Sequence, residues 1–245
     1  MPPAVKVLLL ANMGSFIVAR LWGTVDFTRV FGLTVPAVFL HLRAYQFITY
    51  LFVHGDLFHL LFNMLVLYFF GRELEIFWGT SFFLRYYFIS GIGAGICSIP
   101  FIWGINAPLI GASGALFALL IAYGLLFPDR VVTLLLFFVL PLRMRARQMV
   151  AVFIVLELLF LLGGGGGGGI AHFAHLGGAL VGFVYLKWPA RRKRKERPAA
   201  GPVPPKESGG YRDELNRVLD KLAREGWGGL NDREKDFLHD ARHNL

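Results

Sequence analysis

Ser113 lies between Gly111 and Gly114 in the stretch GASGALFALL, residues 111–120, and the chain runs on from it into apolar residues. A serine hydroxyl attacks a carbonyl carbon when a base takes its proton, and is a weak nucleophile without one. At the start of a helix it would also stand beside unpaired backbone N–H groups and the positive end of the helix dipole. Such groups suit an oxyanion that develops next to the nucleophile. Gly111 and Gly114 leave room for close backbone approach, but small residues serve helix packing equally well, so the motif alone leaves both readings open. The hydrolase elbow G-x-S-x-G is not matched, because Ala115 holds its fifth position.

A base is available in AHFAHLGGALVG, residues 171–182. A histidine inside an apolar run is costly and is a functional candidate by default. His175 precedes Gly178 and Gly182, a G-x-x-x-G pair that lets another helix come close. Close approach is what would bring its imidazole to Ser113. His172 reads as a polar residue at the membrane interface. A third cluster is HGDLFHLLFNM, residues 54–64, where His59 and Asn63 share a helical face. They could hold an oxyanion, or make hydrogen bonds between helices. Asp56 and Glu157 are acidic candidates without a motif to support either. No H-E-x-x-H signature is present, and the reading needs no metal and no other cofactor.

The elements that must position these groups are membrane helices. The 245 residues are 56% hydrophobic, with a mean hydropathy of +0.56. The excess falls between about residues 4 and 188, in runs that approach the ~20 residues needed to span a bilayer. Six spans are expected, at 4–22, 56–75, 82–103, 112–127, 148–162 and 171–188. The first lacks a small-residue cleavage site and reads as a retained span rather than a signal peptide. The run VVTLLLFFVLP, 131–141, is short and stopped by Pro141, and reads as an interfacial or re-entrant connection, with a seventh span as the alternative. Cys97 is the single cysteine and reads as a core residue.

Basic residues flank alternate links: Arg72 and Arg85, then Arg130, Arg143, Arg145 and Arg147, then the run from Arg191. That pattern places both termini in the cytoplasm and Ser113 toward the outer face. The formal charge of +9 is concentrated in part in RRKRKER, 191–197, directly after the last span. It reads as a cytoplasmic membrane flank and not as a nucleic-acid site. The glycine run 163–169 is either a linker or a mobile gate beside the site. Residues 189–210 read as a basic, Pro/Gly-rich disordered linker, and 211–245 as a small cytoplasmic helical hairpin whose partner is not legible.

Together the three clusters resemble the rhomboid family of intramembrane serine proteases. The resemblance rests on H-x-x-x-N at His59 and Asn63, G-x-S-G at 111–114, and A-H-x-G-G at 174–178, in the family's order. It implies a nucleophile at Ser113 and a general base at His175. It implies an oxyanion hole of His59, Asn63 and the Ser113 backbone N–H. It gives His54 a role in ordering the site and puts an aromatic ring, Phe117, on the catalytic imidazole. Many members carry Trp-Arg in the first loop, where this chain has Tyr45-Gln46, while Thr49 fits the pattern that follows. The expectation is an all-α, six-span bundle over residues 1–188 in the cell's inner membrane, cutting transmembrane protein substrates in the lipid bilayer with a Ser-His dyad. A catalytically inactive rhomboid-like chaperone or binding protein is the alternative, and a small transporter is a more distant one.

Overall fold

The structure, a computed structural model, describes residues 1–105, 107–136, 140–163, 169–195, 209–225 and 227–244. It divides into two compact units, 1–193 and 194–245.

The first unit opens with helix α1, Pro3–Trp22, whose leading proline suits a position where the N–H is unpaired anyway. The next two N–H groups, of Ala4 and Val5, donate to the two carboxylate oxygens of Glu75 at 2.9 and 2.8 Å. Thr80 Oγ1 donates to the same carboxylate at 2.7 Å. Glu75 is 2% exposed, so its charge is tolerated through these donors.

The first loop is largely helical, in short pieces: α2 (Thr24–Phe31), α3 (Val35–Phe39) and α4 (Gln46–Thr49), with a 3-10 turn at Tyr50–Phe52. The Gln46 side chain ties them together. Its oxygen accepts from the Thr34 N–H at 3.1 Å and its amide nitrogen donates to Val30 O at 3.0 Å. Thr49 Oγ1 donates to Phe31 O at 2.8 Å. The departure from Trp-Arg at Tyr45-Gln46 therefore leaves a bonded loop, with an amide in the tie.

After a bend of 97° the chain enters α5 (Leu57–Val66), passes a π-helical turn at Leu67–Gly71 and continues as α6 (Arg72–Trp78). Helix α7 (Thr80–Ile102) returns, and α8 (Ser113–Leu126) runs through the middle. From Gly114 to Gly124 every residue of α8 except Phe117 is buried, which is the signature of a helix surrounded by others. At 14 residues α8 is about 21 Å long. Helix α9 (Ala146–Leu162) and helix α10 (Gly169–Lys195), as far as Lys193, complete the unit.

The segment read as an interfacial or re-entrant connection departs from the expected all-α fold class. Residues 131–136 and 140–141 lie in two strands, β1 (Val131–Leu136) paired antiparallel with β2 (Leu140–Arg145), in register from Val131↔Arg145 to Leu136↔Leu140. The β-branched start Val131-Val132-Thr133 favours the strand, and Pro141, which has no N–H to donate, is tolerated because β2 is an edge strand of a two-stranded sheet among the described residues. Helix α10 also runs past the expected end of the last span, through Pro189 to Lys195, into the segment read as a linker. The rest of that linker to 208, and residues 164–168 of the glycine run, lie outside the described residues.

Apolar side chains cover the outside as well as the core. Val7, Leu10, Ile17 and Leu21 of α1 and Val155, Leu159 and Leu162 of α9 are exposed. Rows of this kind suit contact with lipid and not with water. Among the described residues, α1 and α7 are long and apolar enough to cross a bilayer, and the bent pair ending in α6 would make a third span. The protein is a helical membrane protein.

The second unit holds α11 (Gly209–Glu225) and α12 (Asp232–Asn244), with Val218 and Leu230 buried. Asn231 caps α12: its Oδ1 accepts from the Glu234 N–H at 2.9 Å, and Glu234 Oε2 accepts from the Asn231 N–H at 2.9 Å. Lys221 of α11 donates to the same carboxylate at 2.9 Å.

Candidate active site

Ser113 is the first residue of α8, and the segment leading to it is pinned from the first loop. Leu33 and Leu109 exchange backbone hydrogen bonds of 2.9 Å, and the Gly111 N–H donates to Tyr50 O at 2.9 Å. Gly111 has φ +110°, where an L side chain is strained. A Cβ at that position would also stand 2.6 Å from His59 Nε2. The backbone angle thus requires glycine there, and a side chain would also displace the His59 ring.

His175 comes to Ser113 because α8 and α10 meet through glycine. A Cβ on Gly178 would fall onto the Gly114 backbone, and one on Gly114 would stand 2.6 Å from Ala94 Cβ and 3.2 Å from Ala174 O. One turn further on, a side chain at Gly182 would collide with the Tyr86 hydroxyl and with Ala118 Cβ. With the helices this close, Ser113 Oγ lies 2.7 Å from His175 Nε2. The Phe117 ring stacks on the imidazole, centroids 4.5 Å apart and planes at 6°.

On the facing side, Asp56 caps α5, its Oδ1 accepting from the His59 N–H at 2.9 Å. This acid therefore has a structural task and makes no contact with His175. Asn63 lies one turn beyond His59, with Nδ2 2.9 Å from His54 Nε2. The His54 and His59 rings meet edge to face at 4.9 Å. His54, His59, Asn63 and Gly111 thus form one wall, and Ser113, Phe117 and His175 another. Of the residues singled out in the three motifs, Gly182 lies off this place, a turn along α10 against Tyr86 and Ala118.

Two further groups belong there. Glu157 of α9 places Oε1 2.9 Å from His175 Nδ1 and Oε2 2.6 Å from His172 Nδ1. His172 is therefore a bonded neighbour of the site and not simply an interface residue. The Phe160 ring stacks on it, 5.4 Å away at 12°. A carboxylate alone in the apolar run AVFIVLELLFLL, 151–162, was the available sequence signal for Glu157.

Glu157, His172 and His175 also offer three ligand atoms within 4.8 Å of one another. Ligands at about 2.0–2.1 Å from a tetrahedral zinc lie roughly 3.3 Å apart. The two nitrogen-to-oxygen separations are shorter than that and are those of hydrogen bonds.

A family model described as Rhomboid domain matches residues 41–191. The chain belongs to the rhomboid family. It is also similar to Rhomboid protein 1, mitochondrial, of Saccharomyces cerevisiae, with 32% identity over 153 residues. That match covers 60% of this chain and 42% of the yeast protein, so the chain spans less than half the length of that relative. The rhomboid match contains both walls of the site, together with Glu157 and His172. It ends before the tail unit begins.

Proposed function

We propose that this rhomboid is an intramembrane serine protease that hydrolyses peptide bonds in or near transmembrane segments of other proteins. The observation that carries the reading is the 2.7 Å approach of Ser113 Oγ to His175 Nε2 at the start of a buried helix. Ser113 attacks the carbonyl carbon, and its proton passes to His175 Nε2. The tetrahedral oxyanion takes hydrogen bonds from the Ser113 backbone N–H, from His59 and from Asn63. Asn63 has two amide hydrogens, so the one directed at His54 orients the plane and the other serves the oxyanion. The imidazolium then gives its proton to the leaving amine, and water hydrolyses the acyl-enzyme by the same steps.

In this reading residues 1–188 form six spans in an inner membrane, with both termini cytoplasmic and the site toward the outer face. Residues 189–210 link that domain to a cytoplasmic hairpin at 211–245, which recruits a partner or regulates. The alternation of basic links supports the orientation.

The test is cleavage of a labelled transmembrane substrate by purified protein in detergent. Wild type is expected to cut, and Ser113→Ala and His175→Ala to be inactive while remaining folded. Cleavage that survives both substitutions removes the assignment. A folded wild type that binds such helices and never cuts them points to a rhomboid-like chaperone.

A further inference from the structure

The contact of Glu157 with His175 does more than join two helices. An ionised carboxylate can only accept hydrogen bonds. Both of its contacts are to Nδ1 atoms, so the proton of each imidazole resides on Nδ1. For His175 this leaves a lone pair on Nε2, facing Ser113 Oγ at 2.7 Å. In the opposite tautomer Nε2 would carry a hydrogen and could not accept the serine proton. The carboxylate therefore selects the one neutral form of His175 that works as a base.

The surroundings make that selection firm. Phe117 covers one face of the His175 ring, Ser113 holds one nitrogen and Glu157 the other, so neither rotation nor ring flip is free. Glu157 is itself held. His172 occupies its second oxygen and, stacked on Phe160 of the same helix as Glu157, fixes the direction of the carboxylate plane. The cost of a carboxylate in an otherwise apolar stretch is considerable, and its neighbours Leu156 and Leu158 are exposed on the outer surface. Hydrogen bonds from two imidazoles offset that cost and leave the negative charge beside the ring that must become cationic.

We propose that Glu157 is a positioning residue for His175, extending the dyad to a line Ser113–His175–Glu157, with His172 as the second donor to the same carboxylate. The inference rests on the dyad reading above. In the reaction the Ser113 proton moves to Nε2, the Nδ1 proton stays on His175, and Glu157 remains ionised throughout. Charge balances because the imidazolium forms against the carboxylate as the oxyanion forms against its own donors. The Nε2 proton then leaves with the amine.

The experiment combines a variant with a measurement on the unaltered protein. Glu157→Gln keeps the shape but has one accepting oxygen where the carboxylate has two, so it cannot hold both Nδ1–H groups, and it removes the negative charge beside the ring that becomes cationic. Its kcat on a transmembrane substrate is expected to fall about 10²–10⁴-fold, with KM little changed. Labelling of Ser113 by a fluorophosphonate is expected to slow in parallel. A role confined to joining helices would instead raise KM and lower the folded fraction, and that pattern overturns the proposal. In the wild type, ¹⁵N spectra of the histidine side chains are expected to show His175 protonated at Nδ1 and bare at Nε2 in the resting state. A resting Nε2–H form overturns it whatever the variant does. So does cleavage that is abolished by chelation and restored by zinc, which would make the cluster a metal centre. Cleavage that survives Ser113→Ala sinks the dyad reading itself, whereas full-speed cleavage by Glu157→Gln sinks only the positioning role.

Discussion

Gly114 of α8 and Gly178 of α10 meet backbone to backbone, with no side chain between them. His175 lies one turn before Gly178 and Ser113 one residue before Gly114, so this contact sets the distance between hydroxyl and imidazole. Substituting Gly178 by alanine would put a methyl group onto the Gly114 carbonyl and force the helices apart. Overpacking of this sort costs about 1–3 kcal/mol. Fluorophosphonate labelling of Gly178→Ala is expected to fall well below wild type at temperatures where the variant remains folded. Equal labelling rates would show that the separation of α8 and α10 does not control the site.

Asn63→Ala tests the opposite wall. Removing one oxyanion donor costs about 10²–10³ in kcat in serine hydrolysis. The loss is expected to be smaller than that of Ser113→Ala, because the backbone N–H and His59 remain. Steady-state cleavage at saturating substrate measures it, and an unaltered kcat takes Asn63 out of the reaction.

Glu75→Ala addresses stability apart from chemistry. The substitution leaves the buried N–H groups of Ala4 and Val5, and the partly buried Thr80 hydroxyl, without their acceptor. Each such orphan costs about 1–3 kcal/mol. Thermal unfolding in detergent is expected at a clearly lower temperature, with cleavage per folded molecule preserved in the cold. An unchanged midpoint would mean that water replaces the carboxylate freely.

The tail unit carries a pH dependence of its own. The Asn231 N–H and, after it, the Lys221 ammonium hold the Glu234 carboxyl below the usual glutamate range. A group with a lowered value in the folded state stabilises in its ionised form. Its contribution is complete well above about pH 4.3, the unfolded value, and is lost as pH falls through the lower folded one. Hydrogen exchange over 209–244 in the full chain, corrected for intrinsic rates, is expected to show protection lost on acidification. Glu234→Gln should remove that component, and identical acid profiles for the two proteins would refute it.

Much of this was legible before any coordinates, and for identifiable reasons. Long apolar runs have few alternatives to helix, and α1, α7, α8 and α10 fall where such runs lie. Val131 to Pro141 resisted because a short apolar run has no period that separates strand from helix, and the partner Leu140–Arg145 carries Arg143, Arg145 and a proline among its six residues. Ser113, His175, His59 and Asn63 could be picked out because each breaks an apolar run in a motif of definite spacing. Glu157 breaks a run as well, but its partner lies across the glycine stretch 163–169, and sequence spacing through glycine says nothing about which faces of two helices meet. Only the rotation of α9 against α10 turns the carboxylate toward His175 and His172.

The shortness of α8 bears on what becomes of the products. In the proposed topology, with Leu126 at the cytoplasmic boundary of hydrocarbon about 30 Å thick, a helix of about 21 Å leaves Ser113 at its tip some 9 Å below the outer boundary and short of the midplane. Scission creates an amine and a carboxylate where there was an uncharged amide. Born at that shallow level, both fresh ends have only a short way to go to the headgroups, where they can ionise and drift off. A nucleophile at the centre of the bilayer would leave them stranded in oil and hold back the next turnover.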